Sequence, residues 1–134
     1  MQKKFLKKII AQSEKDLQLI SACCSEGTVK LNEIKFLSKN KIFLLSIERL
    51  SKEQNGINQK VNSIIKFDYI YSSKSKNIDH SKKDESFQLL AINLFKRENN
   101  YEITLLFSNN RIITLTAEII EATLEDQKIN DKSN

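Results

Sequence analysis

The chain contains no proline and only two glycines, Gly27 and Gly56, and each scarcity excludes something. Two isolated glycines do not build a phosphate-cradling loop, which needs several in a short span so that backbone N–H groups can approach the ligand. With proline absent, turns must be read from Asn, Asp, Ser and the glycines alone, and element boundaries soften. Histidine occurs once, as His80, and cysteine twice, as the adjacent Cys23 and Cys24. Metal sites need several His, Cys or acidic ligands converging, and His80 lies far from the cysteine pair in sequence, so no metal or cofactor site is expected. Neighbouring cysteines rarely meet disulfide geometry, so these two read as reduced, partly buried thiols behaving as small hydrophobes. No apolar run approaches the roughly 20 residues of a membrane-spanning helix.

Arginine is scarce too. Of the 22 basic residues only Arg49, Arg97 and Arg111 are arginine, although the net charge is +5 and the pI about 9.2. Nucleic-acid surfaces favour Arg for bidentate contacts to phosphate and guanine, whereas scattered Lys more often keeps a protein dispersed. The abundance of Lys, Asn and Ile matches an A+T-rich coding bias. The lysines of the first residues resemble the start of a signal peptide, but Lys7 and Lys8 interrupt the apolar stretch and Gln12-Ser13-Glu14 ends it. A cytoplasmic protein is expected.

The clearest pattern present is Tyr101–Thr116. Two runs rich in β-branched and aromatic residues flank Asn109-Asn110, and Asn tolerates the positive φ of a tight two-residue hairpin turn. Tyr101, Ile103, Leu105 and Phe107 share one face, and Ile113, Leu115 and Ala117 match them on the second arm. A one-residue slip would expose the whole set, so the register is specified.

Elsewhere, Ser13 followed by Glu14 and Asp16 marks a helix start, and Leu17, Ile20 and Cys24 recur at helical spacing. The helix is expected over 14–26, stopped by Gly27. Residues 5–11 fit either a short strand or a helical lead-in. Strands are expected over 29–37 and 41–50, joined by Ser38-Lys39-Asn40 with Asn40 left-handed, and over 59–71, where Val61, Ile65, Phe67, Tyr69 and Tyr71 alternate. Residues 52–58 read as a polar loop around Asn55-Gly56. The tract 72–86, rich in Ser, Lys and Asn, lacks the apolar surface to order itself and reads as a mobile loop. Phe87–Arg97 reads as a strand buried on both faces at Leu89, Leu90, Ile92 and Leu94. The composition of 117–126, with Ile120 and Leu124 four apart, favours a short C-terminal helix, the alternative being that Ile119 and Ile120 extend the preceding strand; a frayed tail is expected over 127–134.

The fold class is therefore α+β: an antiparallel sheet or partly closed barrel of about six strands, one helix near the start and a short second helix near the end. A length of 134 residues fits a single globular domain, placed here at 1–126.

No pattern with a mechanism stands out. His80, set in the Ser/Lys tract, reads as solvated, because a catalytic base is held rigidly by a third group. Glu118/Glu121 and Asp84/Glu85 read as solvated carboxylates. Lys74, Lys76, Lys82 and Lys83 offer an acidic partner a mobile basic tract, and Phe67, Tyr69 and Tyr71 would be needed on the surface for base stacking, although alternating aromatics are more often core. Arg49, in an otherwise apolar strand, fits an edge charge or a partly buried ion pair with Glu118.

The order of several segments resembles a known family. These are Glu14-Lys-Asp-Leu-Gln-Leu-Ile-Ser-Ala22, Ile47-Glu-Arg-Leu50, Ile65-Lys-Phe-Asp-Tyr-Ile70, Phe87-Gln-Leu-Leu-Ala-Ile92, Leu106–Leu115 and Glu118–Asp126. The family comprises short bacterial proteins catalogued only as a domain of unknown function, seen mostly in alphaproteobacteria. The likeness runs from about Leu6 to Asp126, departing at Asn109-Asn110, where the family usually has glycines, and at Cys23–Glu26. The resemblance implies fold and compartment but no activity, cofactor or catalytic residue.

The functional expectation is a small non-catalytic protein that binds another protein as an adaptor or accessory subunit. The alternatives are a nucleic-acid module using the lysine-rich surface and a small-molecule binder or enzyme with an unrecognised pocket. Neither membrane nor cofactor enters any of them.

Overall fold

Apolar residues recur at every second position through most of the chain, and that period sets the architecture. The computed structural model describes residues 6–52 and 58–130, with side chains for 6–51 and 59–127. Among these residues the order is β1 (Lys8–Ala11), α1 (Glu14–Cys24), β2 (Gly27–Lys30), a 3-10 turn (Leu31–Glu33), β3 (Ile34–Leu37), β4 (Ile42–Lys52) and β5 (Asn58–Phe67). There follow β6 (Ile70–Lys76), β7 (Ser86–Lys96), β8 (Tyr101–Phe107), β9 (Arg111–Ala117) and β10 (Ala122–Asn130). All ten strands belong to one antiparallel sheet, ordered β1-β10-β5-β4-β2-β7-β8-β9-β6, with β3 also paired to β4. The sheet is open rather than a closed barrel, yet it curls enough that residues from nearly every strand pack into one continuous core. No described helix is long and apolar enough to cross a membrane.

The antiparallel sheet and single early helix agree with the sequence reading; the strand count does not. Two long runs read as single strands are each broken. Residues 29–37 divide at the 3-10 turn, where Leu31 and Asn32 donate to the carbonyls of Glu85 and Lys83 instead of a neighbouring strand. Residues 59–71 divide at Asp68-Tyr69, where Tyr69 takes φ 60 and Asp68 N–H donates to Glu121. Residues 8–11 are a strand, and 117–126 is not a helix. There, Ala122, Leu124 and Asp126 face the core as a strand paired to β5, since the free edge of β5 outweighs a weak helical preference. β10 then continues through Gln127 to Asn130.

The tract 72–86 is also largely ordered. Its first part is β6, paired to β9 from Ile70 to Lys76. Strand pairing satisfies backbone groups without needing apolar side chains, which is why composition misjudged it. Its second part is pinned by Asn77 Nδ2 on Asn110 O at 2.7 Å, by Arg111 on Glu85 at 3.0 Å, and by the half-buried Ile78. The polar loop centred on Asn55-Gly56 lies outside the described residues.

Local chemistry explains α1. Ser13 Oγ accepts from Asp16 N–H at 3.2 Å, and Glu14 and Asp16 place negative charge at the positive end of the helix dipole. Leu17, Ile20 and Cys24 are buried, whereas Leu19 faces out. The helix ends at Cys24 and the left-handed residue is Glu26, φ 66, so Gly27 is not the stop. It opens β2 instead, where an added Cβ would lie 2.6 Å from Ile47 Cδ1. Glycine is required there by close packing against β4. Similarly, Lys41 rather than Asn40 is left-handed in the β3–β4 turn. The hairpin register is as expected, with Ile103 opposite Leu115 and Leu105 opposite Ile113. Asn109 and Asn110 both take φ 60, although Ser108 joins them in the connection. β7 is buried on one face: Leu89 and Ile92 point inward, Leu90 is 48% exposed and Leu94 half-buried.

Candidate functional site

Among the described residues the curled sheet leaves several unpaired strand edges, the outer edge of β1 included, and two of these places bear on the site. At the first, β2 covers β7 only from Ser86 to Leu89, and α1 packs into the remaining gap. Ser21 Oγ on α1 accepts from Ile92 N–H of β7 at 2.9 Å, completing a backbone group that no strand reaches. At the second, β3 pairs with β4 alone and β6 with β9 alone among the described residues. Between their outer edges runs a groove of about 550 Å³.

Register fixes what faces this groove. On one wall Phe36 stands opposite Phe43, and on the other Ser75 stands opposite Ile113, so these side chains project to the inner side of the sheet. Phe43 and Ile113 are buried and form the floor, with the half-buried Ile34 and Phe36 beside them. Ser73, Ser75, Asn32, His80, Lys35 and Lys83 supply the polar rim. His80 Nε2 lies 2.7 Å from Ser75 Oγ. This pair lacks the further parts of a hydrolytic site: among the described residues no carboxylate hydrogen-bonds the imidazole, and both side chains are exposed. The adjacent Asp79 carboxylate accepts instead from the Ser81 hydroxyl and N–H, and these hydrogen bonds hold its pKa below the usual value. Among the described residues no carboxylate lines the groove.

A second polar cluster is buried. Arg49, Ser63 and Asp126 occupy inward positions on β4, β5 and β10, with Ser63 directly opposite Asp126. Arg49 Nη2 reaches the two Asp126 oxygens at 2.8 and 2.9 Å, and Ser63 Oγ donates to Oδ1 at 2.6 Å. Lys7 N–H donates to Oδ2 at 2.8 Å, tying the residue before β1 to the cluster. Burial pushes the Asp126 carboxyl up, but the hydrogen bonds from Ser63, Arg49 and Lys7 and the Arg49 charge outweigh it, leaving the pKa below its usual value. With every donor satisfied and both ionic side chains 2–3% exposed, this is an anchor within the core and not a site open to ligand. Nearby, burial pushes the Cys24 thiol up to about 12 against the pull of Arg49.

A family model described as Protein of unknown function (DUF2948) matches residues 7–134. The chain belongs to this family. The resemblance read from the sequence is thereby shown, and the match spans β1 to β10. Comparison with curated proteins gives no match.

In this DUF2948 protein the residues weighed from the sequence disperse. Arg49 pairs with Asp126, not Glu118, because Asp126 shares its inward face while Glu118 lies in the exposed link after β9. Glu118 hydrogen-bonds Tyr71, raising the phenol pKa, whereas Glu121 accepts from Gln12 Nε2 at 3.0 Å, so the two carboxylates serve different partners. Phe67 is core, but Tyr69 and Tyr71 are 47% and 48% exposed. Their alternation is broken by the positive φ at Tyr69, and Lys41 Nζ sits 5.2 Å from the Tyr71 ring. His80 and Lys83 join the groove; Lys74 and Lys76 project from the opposite face of β6. Ile34, Phe36, Ser73 and Ser75 were not anticipated as a set. The even spacing of Ser73 and Ser75 was their one sequence signal, hidden in a tract that reads as loop.

Proposed function

We propose that this DUF2948 protein is a non-catalytic protein-binding module, an adaptor or accessory subunit that engages its partner at the β3–β6 groove. One observation carries the reading: two unpaired strand edges flank a cleft with an apolar floor. Unpaired edges present rows of backbone donors and acceptors that attract another chain, and proteins ordinarily cover or blunt them. Strand addition at such an edge is a common mode of peptide recognition. The gap beside β7 is filled by α1, whereas β3 and β6 find no second strand among the described residues, which supports a partner here. Its rim residues are mostly exposed, which suits an extended chain better than an enclosed small molecule.

A nucleic-acid module is the second reading, supported by the +5 charge and the exposed Tyr69 and Tyr71. Glu118 beside Tyr71 weighs against it, since a carboxylate at a stacking face repels phosphate.

Affinity purification from host lysate, with and without nuclease and at low and moderate salt, separates the two. The tagged protein is compared with Ser75→Trp, which fills the groove from an exposed position. A stoichiometric protein that survives nuclease and salt and is lost with Ser75→Trp is the expected result. Nucleic acid alone, released at moderate salt, overturns the reading in favour of the second. A protein retained equally by Ser75→Trp overturns the assignment to the groove.

A further inference from the structure

Resting on that reading, we infer that the gap between β3 and β6 accepts an extended partner segment of alternating apolar and acidic residues, added as a strand. The alternation follows from the two faces of the gap. A strand laid between these edges turns every second side chain inward, onto Phe36, Phe43 and Ile113, and the others outward. The inner positions therefore call for apolar residues.

The outer positions are flanked by cations on both sides. Lys35 stands between Ile34 and Phe36 on β3, and so has the outward parity. Lys74 lies opposite Thr114, out of phase with the inward Ser73 and Ser75, and Lys76 shares its face. All three lysines are exposed, and no ion pair engages them among the described residues. Directly opposed unlike charges on neighbouring strands are favourable and like charges unfavourable, so Asp or Glu fits the outward positions and Lys or Arg is rejected. At the end of the groove His80 and Lys83 add donors and no carboxylate. The length follows as well. β3 has 4 residues, and at ~3.3 Å per residue such an edge offers roughly 13 Å, enough for two inward and two outward side chains.

The test uses a displayed library of random twelve-residue peptides, selected against the full chain. Synthetic versions are then titrated into wild type, Ser75→Trp and the double reversal Lys35→Glu/Lys74→Glu. Selected peptides should alternate apolar with Asp or Glu. Their binding should fall roughly tenfold or more in the double reversal, as two favourable exposed pairs become two repulsive ones. It should weaken with salt, fail with Ser75→Trp, and slow amide exchange across 34–37 and 72–76. Peptides that need an open groove but carry no acidic bias and tolerate charge reversal overturn this inference and leave the binding-module reading standing. Peptides indifferent to Ser75→Trp, or a library yielding none while a fluorescent oligothymidylate binds and is lost on charge reversal, overturn both.

Discussion

Replacing Arg49 with methionine keeps much of the stem but strands the Asp126 carboxylate in the core without its cation. Ser63 and Lys7 still donate to it, yet two Nη2 bonds and the neutralising charge are gone. Breaking a buried pair from one side costs about 3–5 kcal/mol, because the surviving charge is uncompensated. Unfolding entropy of ~2.1 cal/mol/K per residue gives roughly 0.28 kcal/mol/K for this chain, so Tm should fall by about 11–18 °C. Arg49→Met/Asp126→Leu removes both charges and should recover part of the loss, leaving the buried Ser63 hydroxyl and the Lys7 N–H without their partners at about 1–3 kcal/mol. Urea titrations of the four proteins close the cycle. The pH dependence gives a second check. The Asp126 pKa lies below its usual 3.8 in the folded state, so its contribution is complete above that value and is lost as pH falls through the lower folded one. The difference between wild type and Arg49→Met should therefore shrink on acidification. A single-mutant cost under ~1 kcal/mol, or costs that simply add in the double mutant, refutes the account of a coupled buried pair.

Gly27→Ala should cost about 1–3 kcal/mol through the clash with Ile47, and Ile47→Val should cost less in that background than in wild type; chemical denaturation of the four variants measures both. Asn110→Gly should be neutral or slightly stabilising and Asn110→Val should cost about 1–2 kcal/mol, because φ 60 suits glycine and opposes a β-branched side chain. Thermal melts check this pair. At pH 8 the native protein should react with one equivalent of a thiol reagent, at the half-buried Cys23, and with two in denaturant, since Cys24 is buried and pushed up to about 12.

The parts of the sheet that were legible are those whose residues alternate inward and outward. Tyr101–Ala117, with inward residues on both arms and two asparagines between, was readable to the register. What misled were places where tertiary structure supplies something a local pattern does not contain. Residues 117–126 looked helical from their composition and from Ile120 and Leu124 four apart; as a strand, the segment turns Asp126 inward, where its carboxylate is tolerated because Arg49, 77 residues away, meets it. β6 looked like loop because its satisfaction comes from the backbone of β9, not from its own side chains. The breaks at Leu31 and Asp68 are made by the carbonyls of Glu85 and Glu121, which no local window includes.

The groove was hidden for the same reason, and the reason bears on its meaning. A curled antiparallel sheet that does not close must leave edges, and each needs a cover, a deterrent or a partner. At β7 the cover is built in, down to the Ser21 hydroxyl placed on Ile92 N–H. At β3 and β6 the lysines on the outer face act as a deterrent, since a second copy of the same edge would bring lysine against lysine. Like charge repels self-association while opposite charge invites a complementary strand, so on the proposed reading one feature would keep the edges apart from their own kind and selective for another. On this view Lys35, Lys74 and Lys76 matter more than the net charge of +5, because they flank a gap that no strand fills among the described residues.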